Sequence, residues 1–233
     1  MKGEVIGVAT FQFVEGQNLN FAIPGERIAK LKTGKGKTLS EWKKDQEQEQ
    51  FATASGLYVE GLFLFFQNNC EKALPYFEKV VEKNPRHAKA YFYIGICNNA
   101  LARHLKAIDA FKQAIRIKPD DVEAYFRLGL VFSMLERFPE AIAAFKQCVR
   151  INSDYENAHV GLGMSYVKLK RYSDAIDAFK QAIRIKPDFV DAHYPLGLVY
   201  LMIGDRGSAL DQYKILKNLD NDLANKLFNM IYK

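Results

Sequence analysis

The chain reads as all-α: a superhelix of five helix-turn-helix repeats closed by a C-terminal helix, with a short β-hairpin ahead of it. Three observations predict this. The segment AIDAFKQAIRIKPD occurs twice without change, at Ala107–Asp120 and Ala175–Asp188. A looser copy, AIAAFKQCVRINSD, lies halfway between them at Ala141–Asp154. The resulting period of about 34 residues is that of one supersecondary unit stamped out in series.

Starting the repeats at Ala54, Ala88, Val122, Glu156 and Val190 brings the whole region into register. The eighth position is then Gly61, Gly95, Gly129, Gly163 and Gly197, and the twentieth is Ala73, Ala107, Ala141, Ala175 and Ala209. The twenty-fourth is Phe77, Phe111, Phe145, Phe179 and Tyr213, and the thirty-second is Pro85, Pro119, Ser153, Pro187 and Asn221. This resembles the tetratricopeptide repeat, whose pattern runs W-x2-L-G-x2-Y, A-x3-F, P. The resemblance implies a right-handed superhelix over 54–223, with repeats 54–87, 88–121, 122–155, 156–189 and 190–223. The edges depart from the pattern. Glu60 replaces the usual Leu in repeat one, Asn221 replaces Pro in repeat five, and no repeat has Trp at its fourth position.

In chain order, residues 1–32 come first and do not follow the repeat. GEVIGVATFQFV is β-branched and aromatic, EGQN is turn-like, and LNFAIP alternates through Leu19, Phe21 and Ile23, which predicts a β-hairpin. Residues 33–53 follow as a linker and N-terminal capping helix. TGKGKT looks like a phosphate loop but has Leu31 where that motif needs Gly, so it is a flexible turn. Thr38-Leu-Ser-Glu41 is a capping-box signature that starts a helix through Trp42 to Gln50. In each repeat, Gly at position eight and Ala at position twenty let two helices approach, and the aromatic at twenty-four fills the space beside them. Pro at thirty-two stops the second helix. One hairpin cannot bury its apolar face alone, so the repeats stack, and 224–233, with Leu227, Phe228 and Ile231 at helical spacing, reads as the closing helix.

The string GEVIGVATF…GQNLNFAIP…RIAKL, over residues 3–32, resembles the end of the trypsin-like domain of HtrA (Deg) serine proteases. The resemblance implies the last two strands of the second β-barrel and the helix after it, with Asn20–Ala22 beside the specificity pocket. Residues 1–39 contain no Ser, His or Asp, so the nucleophile, base and carboxylate of a catalytic triad are missing there. The expectation is a remnant of a protease–repeat fusion, with no catalytic residue in this chain.

Composition excludes several classes. The formal net charge of +6 is modest and argues against nucleic acid as partner. No apolar run reaches membrane-spanning length, and MKGEVIGVATF lacks the pattern of a signal peptide. The compartment is left open: cytoplasmic as the chain stands, periplasmic for a longer parent. Cys70, Cys97 and Cys148 have no metal spacing and read as free thiols. His159 and His193 hold equivalent positions, but no third ligand follows, so no metal or cofactor is expected.

A ligand is expected on the first helices, at positions five, nine and twelve, which share one helical face. Position five holds Tyr58, Phe92, Phe126, Val160 and Tyr194; position nine holds Leu62, Ile96, Leu130, Met164 and Leu198. Position twelve holds Phe65, Asn99, Ser133, Val167 and Leu201. Such an apolar stripe suits an apolar or amphipathic peptide or helix. The members of the family that clamp a terminal carboxylate carry Lys at five and Asn at nine; Tyr58 and Leu62 argue against that mode. The second helices carry Lys112, Lys146 and Lys180 with Arg116, Arg150 and Arg184 one turn on, a basic ladder that reads as a solvated face or an anionic-partner surface. The function expected is a protein-interaction scaffold. The competing readings are a fragment of a serine endopeptidase whose repeats recruit substrate, and a protein that self-assembles through its groove or hairpin edge.

Overall fold

The structure, a computed structural model, describes residues 9–12, 18–21 and 53–233, and the chain divides into two units, Met1–Ala52 and Thr53–Lys233. In the first unit, β1 (Ala9–Gln12) pairs antiparallel with β2 (Asn18–Phe21), with Ala9 opposite Phe21 and Gln12 opposite Asn18. Both strands lie within the stretch where the alternation predicts a β-hairpin. The expected helix after it, the TGKGKT linker and the capping-box helix lie outside the described residues.

The second unit is built from eleven helices. The first helices of the repeats are α1 (Ala54–Phe66), α3 (Ala88–Ala100), α5 (Val122–Met134), α7 (Glu156–Lys168) and α9 (Val190–Met202). The second helices are α2 (Cys70–Lys83), α4 (His104–Ile117), α6 (Phe138–Ile151), α8 (Tyr172–Ile185) and α10 (Arg206–Leu219). The closing helix is α11 (Asn221–Ile231). Every second helix ends at position thirty, including α6, where Ser153 stands in place of Pro. Pro reinforces a stop that the chain makes without it.

The turn inside each repeat places position fifteen in the left-handed region: Asn68, Ala102, Glu136 and Lys170 have φ of 56–58°, and Gly204 has 81°. The following amide closes the motif by donating back to the first helix, as from Arg103 to the Asn98 carbonyl at 2.8 Å. These paired backbone bonds hold non-glycine residues where glycine is usual. Side chains cap the next helices: Thr53 Oγ1, His87 Nδ1 and Asp121 Oδ1 each accept from the amide three residues on, at 3.0–3.1 Å.

The core follows the register. Phe77, Phe111, Phe145 and Phe179 are fully buried, as is each position-twenty Ala. A Cβ added at Gly61, Gly95, Gly129 or Gly163 would lie 2.6–2.7 Å from the Phe of its own repeat, so the ring occupies the space a side chain would need. Repeat five departs from expectation. There a Cβ on Gly197 would meet Leu227 of α11 at 2.6 Å, and Tyr213 is only half-buried, its ring 5.1 Å from Phe228. The closing helix thus supplies the filler that Tyr213 was expected to provide. It also starts at Asn221, three residues before the expected 224, because Asp220 caps it by accepting from the Leu223 amide at 3.0 Å.

One core position is out of character. Asn98 is 2% exposed, at the position where later repeats hold Phe132, Tyr166 and Tyr200. Its amide donates to the Ile94 carbonyl at 2.9 Å, while Oδ1 has no partner. An unsatisfied buried acceptor costs about 1–3 kcal/mol. Asn98→Leu is therefore expected to raise stability by about 1 kcal/mol or more. Urea unfolding followed by circular dichroism checks it; an unchanged or lower midpoint would contradict the assignment.

Candidate functional site

Consecutive first helices of repeats two to five touch one another, and no comparable contact joins consecutive second helices. The first helices therefore line the inner, concave side of the stack. Their stripe lies between core and surface. Tyr58, Leu62, Phe65, Phe92, Ile96, Asn99, Phe126, Leu130, Ser133, Val160, Val167, Tyr194, Leu198 and Leu201 are all half-buried, and only Met164, at 45%, is exposed. The reason is local. The aromatic at position five leans on the buried Phe of its own repeat, with ring centroids 5.9 Å apart for Tyr58–Phe77, Phe92–Phe111 and Phe126–Phe145. The stripe is the outer layer of the core rather than a second apolar face added to it. Phe126, which also lies 5.1 Å from the Tyr155 ring, is thus part packing and part surface, not the free groove residue its position suggests.

The junctions between repeats differ at position six. Between repeats one and two, the Tyr93 ring stacks on Phe77 at 5.2 Å. Between three and four, Gly161 brings the backbone of α7 so close to Phe145 that an added Cβ would lie 2.7 Å from the ring. Between two and three the residue is Arg127, and it fills nothing. Its Nε donates to Glu123 Oε1 at 2.7 Å, and Glu123 Oε2 accepts from the Tyr155 hydroxyl at 2.6 Å. A cavity of about 370 Å³ remains here, lined by Ile96, Phe111, Leu130, Val131 and Met134 with Asn99, Arg127 and Ser133. Four stripe residues meet in it: Ile96, Asn99, Leu130 and Ser133. Arg127 was not among the residues the sequence marked. The signal available was its i, i+4 pairing with Glu123 and its being the only charge at position six.

The basic ladder is exposed throughout: Lys112, Arg116, Lys146, Arg150, Lys180 and Arg184. None of the six makes an ion pair among the described residues, although Lys214, the next at position twenty-five, pairs with Asp211 at 2.9 Å. Acids lie nearby. The hydrogen bond from Arg137 holds the Glu140 carboxyl below its usual range, and the charge of Lys112 adds to this. Arg171 likewise pairs with Asp174 at 2.8 Å. The outer face is therefore mixed in charge, as solvated helix faces are.

Stacked helical hairpins with an apolar inner face define an α-solenoid. Its repeats match family models described as tetratricopeptide repeat at 58–122 and 122–155, and as TPR repeat at 163–204. The chain is therefore a tetratricopeptide-repeat protein over these residues. Among solved structures it is similar to a crystal structure of MamA, at 25% identity and a TM-score of 0.67, covering 71% of this chain and 96% of that one. YrrB, titled a TPR protein with an unusual peptide-binding site, is 23% identical with a TM-score of 0.68, covering 80% and 96%. MamA from Desulfovibrio magneticus RS-1, from residue 41 onward, is 18% identical with a TM-score of 0.69, covering 72% and 96%. At such identities YrrB and the second MamA speak for the fold alone. No curated protein matches the chain. The family-model matches lie between residues 58 and 204, away from the protease-like stretch at 3–32.

The histidines are absorbed by packing. His193 is buried, with Nε2 2.8 Å from the Pro187 carbonyl and Nδ1 2.8 Å from the Gln212 amide, and His159 Nε2 lies 2.9 Å from the Ser153 carbonyl. No cluster of metal-ligating side chains occurs among the described residues. Of the thiols, Cys97 and Cys148 are buried and Cys70 is half-buried. Burial pushes the Cys148 thiol up to about 12, and burial with a hydrogen bond to Cys70 pushes Cys97 up as well. A raised pKa keeps the unreactive thiol form. In the folded protein Cys70 alone is expected to react with a thiol reagent at neutral pH, with Cys97 and Cys148 reacting only on denaturation; mass spectrometry of the labelled peptides decides it.

Proposed function

We propose that the array is a protein-interaction scaffold that holds an apolar or amphipathic peptide or helix along the first helices. The observation that carries this reading is the cavity between α3 and α5, where an apolar lining meets a few polar groups, the usual make-up of a recognition pocket. The half-buried stripe extends from it in both directions, with Met134 and Met164 exposed at its surface. Methionine surfaces adapt to varied apolar partners. That YrrB, which shares the fold, is titled for a peptide-binding site supports the same reading.

The test is a binding measurement with peptides selected from a random display library. Leu130→Ala is expected to weaken them by about tenfold, the loss of roughly 1.4 kcal/mol. Lys146→Glu, on the outer helices, is expected to change affinity less than about twofold. Melting curves of both variants separate lost binding from lost folding. The reverse pattern would move the ligand to the basic ladder, and concentration-dependent sedimentation with the groove occluded would favour self-assembly.

A second reading rests on the resemblance of the string at residues 3–32 to the end of a trypsin-like protease domain. On it, the repeats would recruit substrate or regulator to a serine endopeptidase elsewhere in a longer protein. This chain, with no Ser, His or Asp in residues 1–39, is expected to release no peptides from unfolded casein. Turnover abolished by a serine-directed inhibitor would contradict that.

A further inference from the structure

We infer that the cavity between α3 and α5 selects an acidic amphipathic segment: a large apolar side chain enters it while a neighbouring internal Glu or Asp pairs with Arg127. This rests on the groove reading and names the ligand chemistry of that site.

The argument is an inventory of donors and acceptors. The cavity has three polar side chains, Asn99, Arg127 and Ser133. The acceptor of Asn99, Oδ1, is already engaged by His104 Nδ1 at 3.0 Å, which leaves its amide hydrogens. Arg127 uses Nε on Glu123, and its terminal nitrogens form no further bond among the described residues. The Ser133 hydroxyl makes no bond among the described residues, whereas Ser165 in a neighbouring repeat donates to the Gly161 carbonyl at 2.7 Å. The nearby acid is spent: both Glu123 oxygens are taken, one by Arg127 and one by Tyr155. What the protein leaves unmatched at the cavity is donors: with Nε on Glu123, the N–H groups on the two terminal nitrogens of Arg127 remain, and a planar carboxylate can meet that fork in bidentate fashion.

The apolar part of the cavity sets the rest. Its walls, Ile96, Phe111, Leu130, Val131 and Met134, accept an aliphatic or aromatic side chain. On a helical ligand an acid three or four residues from that anchor lies on the same face and within reach of Arg127. A chain-terminal carboxylate is the wrong source, because the repeat-one positions that would clamp it hold Tyr58 and Leu62.

The probes are short fluorescein-labelled amphipathic peptides with amidated C-termini, identical except for Glu, Gln or Lys beside the apolar anchor. Fluorescence anisotropy is expected to show the Glu peptide binding about tenfold more tightly than the Gln peptide, with Lys weakest. Arg127→Gln is expected to abolish the Glu preference while leaving the Gln peptide within about twofold, and Arg127→Lys to retain part of it. Equal binding of Glu and Gln peptides, or a preference that survives Arg127→Gln, overturns the proposal and leaves the groove reading standing. A preference seen only for free C-terminal acids overturns it in favour of a terminal clamp. If no peptide binds, or binding ignores Leu130→Ala, both readings fall together.

Discussion

The close approach of a glycine to a phenyl ring is the contact on which the rest of the array depends. In each of the first four repeats, position eight of the first helix lies so near the Phe at position twenty-four that even a methyl group would collide with the ring. The ring is buried on all sides, so it has nowhere to move. The two helices of a hairpin can reach this separation only if one of them has no side chain at that point. Once set, the distance fixes where the aromatic at position five must lean, and so fixes the floor of the inner face. The constraint tolerates a change of partner: in repeat five Leu227 of the closing helix takes the place of the ring, and Tyr213 turns outward toward Phe228.

Because the hairpins repeat so closely, the differences between them carry the information. Position six decides how each junction is filled. Tyr93 caps the Phe77 ring, Gly161 lets the backbone close over Phe145, and Arg127 is drawn aside by Glu123. At the last of these the ring of the previous repeat, Phe111, lines a cavity. At this junction Arg127 is held by Glu123 at the rim of the cavity that Phe111 lines.

The periodic part of this was legible in the sequence. The two identical segments set the period, and Gly61 through Phe179 set the register, because contacts that exclude a Cβ or need a ring leave residue types that cannot vary. The less legible features are those that several residue types can satisfy. The left-handed turn position is Asn, Ala, Glu, Lys and Gly in successive repeats, since the backbone bonds around it carry the strain. The early start of α11 depends on one cap, Asp220, against the weight of a pattern that expects Pro one residue later. The inner stripe was found by its spacing, but its degree of burial depends on how far each aromatic tilts onto the core, which spacing does not encode. Arg127 escaped because its role arises between repeats, from Glu123, Tyr155 and the absence of a filler over Phe111.

The place of the cavity in the stack follows from nearest-neighbour physics. In a linear array each repeat is stabilised by the repeats it touches, so the ends are weaker than the middle. Repeat one shows this in its residues. Glu60 stands where Ile94, Leu128, Leu162 and Leu196 are buried, and Phe63 is 58% exposed where Cys97, Val131, Ser165 and Val199 are buried. Repeat two, against which repeat one packs, holds Asn98 with its unmatched acceptor. The other end is closed by α11, which buries Ala224, Leu227 and Ile231 against repeat five. The cavity lies between repeats two and three, with at least one further repeat on either side. Its walls are therefore held by packing on both flanks.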